Sequence, residues 1–209
     1  GSKRITEKEE LEILIPFLEK LIINFPSILF SIDTWKSKIA EESILRGASI
    51  INDISSGNMD KNMMNVVSKH KVAYIMMHME NNPETMQKHP IKSDSINIVL
   101  DFFKKKIKEA ESLNIKNLII DPGIGFGKSL NENFKLLKNI DMLKVFNYPI
   151  MIGISRKSII HKKLNIKIGE SLNGTTILNT YALIKNANIL RVHDVKEAKE
   201  CVNLLQELK

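Results

Sequence analysis

The sequence predicts an α/β fold of parallel strands, each followed by a helix, and within that class a (β/α)8 TIM barrel. Three observations carry this reading. Short apolar runs alternate with longer amphipathic stretches, the pattern of strands buried on both faces by covering helices. A polar residue closes nearly every apolar run, and strand ends are the rim at which barrel enzymes place their chemistry. The first strand is not followed by the glycine-rich dinucleotide fingerprint that would favour an open Rossmann sheet.

Each element has a local reason. Thr6 followed by Glu9 is a capping box, and Leu11, Leu14, Ile15, Leu18, Leu21 and Ile22 then recur at helical spacing. Residues 27–34 form a short apolar run that ends in Asp33 and Thr34. A helix is expected over 36–46, stopped by Gly47, and a strand over 48–54 that carries Asn52 and Asp53. Residues 58–70 read as helix, 72–79 as a strand ending near His78, and 96–113 as a long helix. The strand 117–121 leads into the turn Pro122-Gly123. Helix 131–143, strand 149–155 and a helical region from Arg156, extended by 172–186, follow. A strand over 189–193 and a second capping box, Asp194 with Glu197, precede the closing helix. No linker interrupts the series, so a single domain over residues 1–209 is expected. Six strands and seven helical segments, starting on a helix, make about 32 residues per unit; eight units need about 257. The chain is therefore expected to hold about six strand–helix units plus a leading helix, short of a full barrel at its N-terminus.

Composition excludes several classes. Of 209 residues, 43% are hydrophobic and 26% charged, values of an ordinary globular chain rather than a disordered or collagenous one. No apolar run approaches the ~20 residues of a membrane span, and no secretory leader is read at the start. The single cysteine, Cys201, allows no disulfide within the chain and no cysteine zinc site, which suits a reducing, cytoplasmic setting. A net charge of +7 favours anionic partners without naming them. The main basic run, Lys104 to Lys106 with Lys108, lies on an amphipathic helix beside Glu109 and Glu111. It reads as a solvated face, not a nucleic-acid surface.

The strand ends collect Asp33, Asn52, His78, Asp121, Lys157, Arg191 and His193. Each alone has a structural reading as a helix cap or turn former. Their succession along a closed barrel would converge them on one pocket. By strand parity Arg191 and His193 share a face, and such a pair suits a phosphate or diphosphate. The competing reading is a buried Arg191 paired with Asp194. The segment Asp121-Pro122-Gly123-Ile124-Gly125-Phe126-Gly127-Lys128-Ser129 fails as a P-loop, because Pro122 stands where the first glycine must be. It remains a glycine-rich loop with Phe126 at its tip, able to close over a flat ligand. Ser155-Arg156-Lys157-Ser158 opens a helix with hydroxyls and cations suited to an anion. No HExxH spacing, calcium loop or GxSxG elbow is present.

These strings resemble dihydropteroate synthase of the pterin-binding family. The residues that carry the resemblance are Ser31 to Thr34, Gly47 through Ile54, Met77-His78-Met79, Asp121 to Lys128, Gly153 to Ser158 and Arg191 to Asp194, in the family's order and over essentially the whole chain. The resemblance implies condensation of 6-hydroxymethyl-7,8-dihydropterin diphosphate with 4-aminobenzoate, giving 7,8-dihydropteroate and diphosphate for folate synthesis. It implies that Asp33, Asn52, Met77, Asp121 and Lys157 bind the pterin, and that Arg191 and His193 bind the diphosphate. Phe126, Ser155 and Ser158 would line the aminobenzoate site, which sulfonamides also occupy. Asp33, Lys157, Arg191 and His193 are the implied catalytic set.

The resemblance further implies Mg2+, a homodimer and small-molecule substrates, with no nucleic acid or membrane partner. The family's opening strand, whose Asn helps to bind magnesium, and its Ser-Thr-Arg-Pro loop are not in this sequence, so no metal ligand is expected here. Gly1-Ser2 is either an expression remnant or the pair that follows that Pro. On this reading the polypeptide alone is expected to be inactive or nearly so. Two alternatives stand beside it: a non-catalytic or partner-dependent pterin-binding fragment, and a methyltetrahydrofolate-dependent methyltransferase on the same barrel.

Overall fold

The computed structural model describes residues 5–208, so Gly1-Ser2 lies outside the described residues. Strands and helices alternate as expected, and the chain divides into two compact units. One holds the residues up to Met77 together with Lys105–Ile119; the other holds His78–Lys104 and Ile120 onward.

The first unit opens with α1 (Glu7–Asn24). Its start is dictated by the Thr6 hydroxyl accepting the Glu9 N–H at 3.2 Å, while the Glu9 carboxylate accepts the Thr6 N–H at 2.7 Å. Two donors that a helix N-terminus leaves orphaned are thus satisfied. Leu18 is buried and the other apolar positions of that face are half-buried. Then come β1 (Ser31–Asp33), α2 (Ser37–Leu45), β2 (Ile50–Asp53), α3 (Met63–His70) and β3 (Ala73–Met77). β1 pairs in parallel with β2, setting Asp33 opposite Asn52, and β2 pairs in parallel with β3. Ile32, Ile51, Tyr74 and Met76 from the strands pack in the core with Ile39, Met63 and Val67 from the helices. β2 and β3 are buried along most of their length, whereas in β1 only Ile32 is buried and Ser31 and Asp33 are exposed.

The helix expected over 58–70 begins only at Met63. The Asp60 carboxylate accepts the N–H groups of Ser37 and Asn62 at 2.7 and 2.9 Å, so this segment satisfies its backbone through a side chain and stays a turn. α4 (Ser95–Ser112) and β4 (Leu118–Asp121) each run from one unit into the other. Within α4 the basic run reads as expected with one exception. Lys106 is buried and donates to Glu109 at 2.9 Å, while Lys104, Lys105 and Lys108 are exposed.

The second unit continues with α5 (Leu130–Lys138), β5 (Met151–Ile152), α6 (Ser158–Leu164), α7 (Leu172–Ile184), β6 (Ile189–Leu190) and α8 (Val195–Gln206). β5 and β6 are parallel, and a parallel bridge joins Ile120 to Ile150. The helix expected over 131–143 divides at Asn139. There one N–H is shared between the Lys135 and Leu136 carbonyls, and a 3-10 stretch, Ile140–Phe146, takes over.

The last strand is shorter than the expected 189–193. Its final rung is the Arg191 N–H on the Ile152 carbonyl at 2.9 Å, so Arg191 and His193 lie beyond the ladder. Strand parity therefore does not govern their directions. Asp194 occupies the N-cap position of α8 without making the expected side-chain cap, because Arg156 engages its carboxylate.

α6 and α7 approach most closely at Gly174, where an added Cβ would lie 2.4 Å from Ile160 Cγ2. Alanine would gain about 1 kcal/mol in helix propensity, but overpacking a rigid β-branched neighbour costs about 1–3 kcal/mol. Gly174→Ala is expected to lower the denaturant midpoint, and adding Ile160→Leu, which removes the offending methyl, to recover part of the loss. A midpoint unchanged or raised in Gly174→Ala would show that the two helices yield freely.

Candidate active site

In the first unit the polar residues follow the apolar rungs of β1 and β2. Asp33 is exposed at the end of its strand, and its register partner Asn52 is buried. Among the described residues Asn52 Oδ1 has no hydrogen-bond partner. A buried orphan acceptor is costly unless something donates to it. Met77, at the end of β3, is buried, and its carbonyl accepts the Ser56 hydroxyl at 2.9 Å.

Asp53, next to Asn52, is fully buried and accepts four hydrogen bonds. They come from the Ser55 N–H and hydroxyl at 2.8 and 2.7 Å, the Gly57 N–H at 2.7 Å and the Tyr74 hydroxyl at 2.7 Å. Burial and the adjacent Asp53 carboxylate push the Tyr74 hydroxyl well above its ordinary pKa, so it stays a donor. Asp53 thereby ties the loop that follows Asn52.

In the second unit Asp121 closes β4. It is buried and accepts the Gly123 N–H at 2.8 Å. Burial raises its pKa, while Lys157, Lys128 and Arg191 pull in the opposite direction. Lys157 donates to the Ile124 carbonyl at 2.7 Å and holds its ammonium 4.6 Å from the centre of the Phe126 ring. Gly153 lies beside both Lys157 and Arg191: a Cβ there would meet Lys157 Nζ at 3.6 Å and Arg191 Cβ at 3.8 Å, ordinary contact distances. The loop is pressed against the chain at Gly123, which has φ of +69° and where a Cβ would fall 1.9 Å from the His78 carbonyl oxygen. No other residue type fits that approach.

Ser155 is buried, and its hydroxyl is 3.2 Å from the His193 N–H and 3.0 Å from His193 Nδ1. Ser158 opens α6, with Lys157 at the N-cap position. Arg191 is exposed and Arg156, not Arg191, pairs with Asp194; the reading of a buried Arg191–Asp194 pair is therefore corrected. Within this unit the structure brings together Asp121, Lys157, Phe126 and Arg191, and it joins Ser155 to His193.

Two buried groups carry electrostatic weight that the sequence did not disclose. His78 is held neutral, its pKa pushed down to about 3 by burial and by Lys128, and its ring packs edge-on against Phe102 at 4.9 Å. Lys128 is only 4% exposed. Its ammonium donates to the carbonyls of Gly123 at 2.9 Å, Phe126 at 3.1 Å and His78 at 3.4 Å. Three donors meet three acceptors. Asn133 holds the same loop, accepting the Gly125 N–H at 2.6 Å and donating to the carbonyls of Lys128 and Ser129 at 2.9 Å. The glycine-rich spelling marked a loop; nothing in it marked the lysine as buried.

A family profile described as pterin binding enzyme matches residues 1–193. Dihydropteroate synthase of Escherichia coli K12 is 36% identical over 208 residues, which cover 99% of this chain and 73% of that protein. The chain belongs to the dihydropteroate synthases. A crystal structure of the Yersinia pestis dihydropteroate synthase with a sulfonamide drug complex superimposes with a TM-score of 0.94 at 33% identity, covering 98% of this chain and 75% of that one. A Clostridium difficile dihydropteroate synthase, crystallised in the presence of pteroic acid, gives 0.92 at 33% identity, over 100% and 77%. The α/β class of the (β/α)8 dihydropteroate synthases, read from the sequence, is thereby established.

The buried Lys128 makes a testable statement about this dihydropteroate synthase. Burial lowers its pKa to about 7, well below the ~10.4 of an unfolded lysine. Between these values the folded chain binds fewer protons than the unfolded one. Stability from this group is therefore complete above ~10.4 and lost as pH falls to about 7, by up to ~1.4 kcal/mol per pH unit. Urea unfolding of the parent and of Lys128→Met across this range should show the parent gaining on the variant as pH rises. A constant difference would mean that Lys128 does not change its pKa on folding.

Proposed function

We propose that this chain joins 6-hydroxymethyl-7,8-dihydropterin diphosphate to 4-aminobenzoate, forming 7,8-dihydropteroate and releasing diphosphate. The observation that carries the reading is the buried Asp121 carboxylate with Lys157, Lys128 and Arg191 around it, on the loop that carries Phe126. A fused bicyclic ring offers N–H donors and ring acceptors in one plane, and a carboxylate beside an ammonium meets both kinds. The orphan Asn52 Oδ1 supports the same chemistry, because it is an acceptor in need of a donor.

In this reading Asp33, Asn52, Met77, Asp121 and Lys157 bind the pterin. Arg191 and His193 hold the diphosphate, and Phe126, Ser155 and Ser158 border the aminobenzoate. The C–O bond at the pterin methylene breaks and its electron pair leaves with the diphosphate. The carboxylate of Asp33 stabilises the positive charge that develops on the methylene, and Arg191 with His193 stabilises the departing anion. The aminobenzoate nitrogen then forms the new C–N bond and loses a proton. No protein nucleophile takes part.

Among the described residues no group of three or more His, Cys, Asp or Glu is arranged to hold a metal ion. No step is assigned to Mg2+; it enters the proposal only as the companion of the diphosphate. Among the described residues no helix is long and apolar enough to cross a membrane. The buried, unbridged Cys201 agrees with a cytoplasmic setting. A homodimer completes the reading, with small-molecule substrates and no nucleic-acid or membrane partner.

The deciding experiment measures dihydropteroate formation with Mg2+ alongside calorimetric titration of the pterin diphosphate. Any turnover is expected to disappear on chelation. Asp121→Asn should lower affinity for the pterin diphosphate about 10- to 100-fold, the range for a lost hydrogen bond to a charged group. Binding without turnover would favour the non-catalytic pterin-binding reading. Binding indifferent to Asp121→Asn would remove Asp121 from the pterin site.

A further inference from the structure

We infer that Ser155 is a positioning residue for His193, fixing its tautomer and its direction, beyond any contact it makes with the aminobenzoate. The inference rests on the proposed grip of His193 on the diphosphate. Ser155 is buried, and two groups of one residue converge on its hydroxyl: the His193 N–H at 3.2 Å and His193 Nδ1 at 3.0 Å. The backbone N–H can only donate, so the Ser155 oxygen accepts from it. Among the described residues the hydroxyl proton meets no other acceptor, so it goes to Nδ1 and Nδ1 is the acceptor. A neutral imidazole with Nδ1 as acceptor carries its proton on Nε2. The outward nitrogen of an exposed ring is thus a donor, the form that suits a phosphate oxygen.

The competing partner is removed. Asp194, adjacent to His193, offers a carboxylate that could otherwise accept a hydrogen bond from the ring. Arg156 occupies that carboxylate through both Nε, at 3.0 Å, and Nη2. The link from residue 155 to 193 and the link from 156 to 194 stand side by side, just past the last strand rung, Arg191 on Ile152. Side chains thus carry on the pairing of β5 and β6 where their backbones part. This register places Arg191 and His193 on a segment held at both ends.

The ring nitrogens of His193 can be read directly by long-range nitrogen–proton NMR on the full chain, at a pH where the imidazole is neutral. The parent is expected to show the Nε2–H form, and Ser155→Ala a mixture of both tautomers. Ser155→Thr, which keeps the hydroxyl, should return the Nε2–H form. Titration with inorganic pyrophosphate should give a dissociation constant roughly 5- to 10-fold higher in Ser155→Ala, the effect of one lost hydrogen bond, and near the parent's in Ser155→Thr. Where turnover is measured, the KM for the pterin diphosphate should rise more than that for 4-aminobenzoate. An Nδ1–H parent, a tautomer indifferent to Ser155→Ala, or a loss confined to the 4-aminobenzoate KM would overturn the assignment. The tautomer requires no catalysis, so failure of the proposed reaction and failure of this inference are read separately.

Discussion

Asp121 and Lys128 lie at the two ends of one glycine-rich loop, and both are buried. Removing either charge from water is costly, and each finds its compensation in the path the loop takes. The Asp121 carboxylate accepts the Gly123 N–H, while the Lys128 ammonium gathers the Gly123, Phe126 and His78 carbonyls. The loop cannot relax without stranding one charge or the other. Its glycines are consequences of this: with the loop drawn in so far, Gly123 lies where a Cβ would overlap the His78 carbonyl. The aromatic ring of Phe126 and the ammonium of Lys157 take their places from the same loop, through the Ile124 carbonyl and the ring face.

Much of the fold was legible because it is local or periodic. The alternation of apolar runs with amphipathic stretches gave the strand–helix series, and Thr6 with Glu9 gave the start of α1 correctly. The failures share one cause. Asp194 with Glu197 has the same spelling as the first box, yet its carboxylate goes to Arg156, which is 38 residues away. Asp60 likewise diverts backbone donors of residues 37 and 62 and postpones α3. A short polar side chain chooses between local and distant partners on tertiary grounds, and a single sequence does not display those grounds.

The candidate site divides along the same line. Strand-end polarity pointed to Asp33, Asn52, His78, Asp121, Lys157, Arg191 and His193 because a parallel strand must end somewhere and an apolar run makes its end visible. It did not point to Asp53, Lys128 or Asn133, which touch backbone and hold loops in place. Lysine in a glycine-rich loop is ordinarily read as a solvated or phosphate-binding cation. Here its three donors are already taken by carbonyls, which only a folded chain assembles.

Parity is a local rule that fails where the strand stops short. Arg191 and His193 were paired on the premise that both stand on β6, but that strand ends at Leu190. What relates them is the Arg191 N–H on Ile152, the His193 N–H on the Ser155 hydroxyl, and the Arg156 fork on Asp194. Each of these contacts crosses to the segment that follows β5. A ladder alone would have fixed the backbone and left the imidazole free to choose its tautomer. A serine hydroxyl in place of the next rung fixes the ring as well, since one oxygen accepts from the backbone and directs its proton to Nδ1. The strand is short at the point where ending it lets a side chain do what a backbone rung cannot.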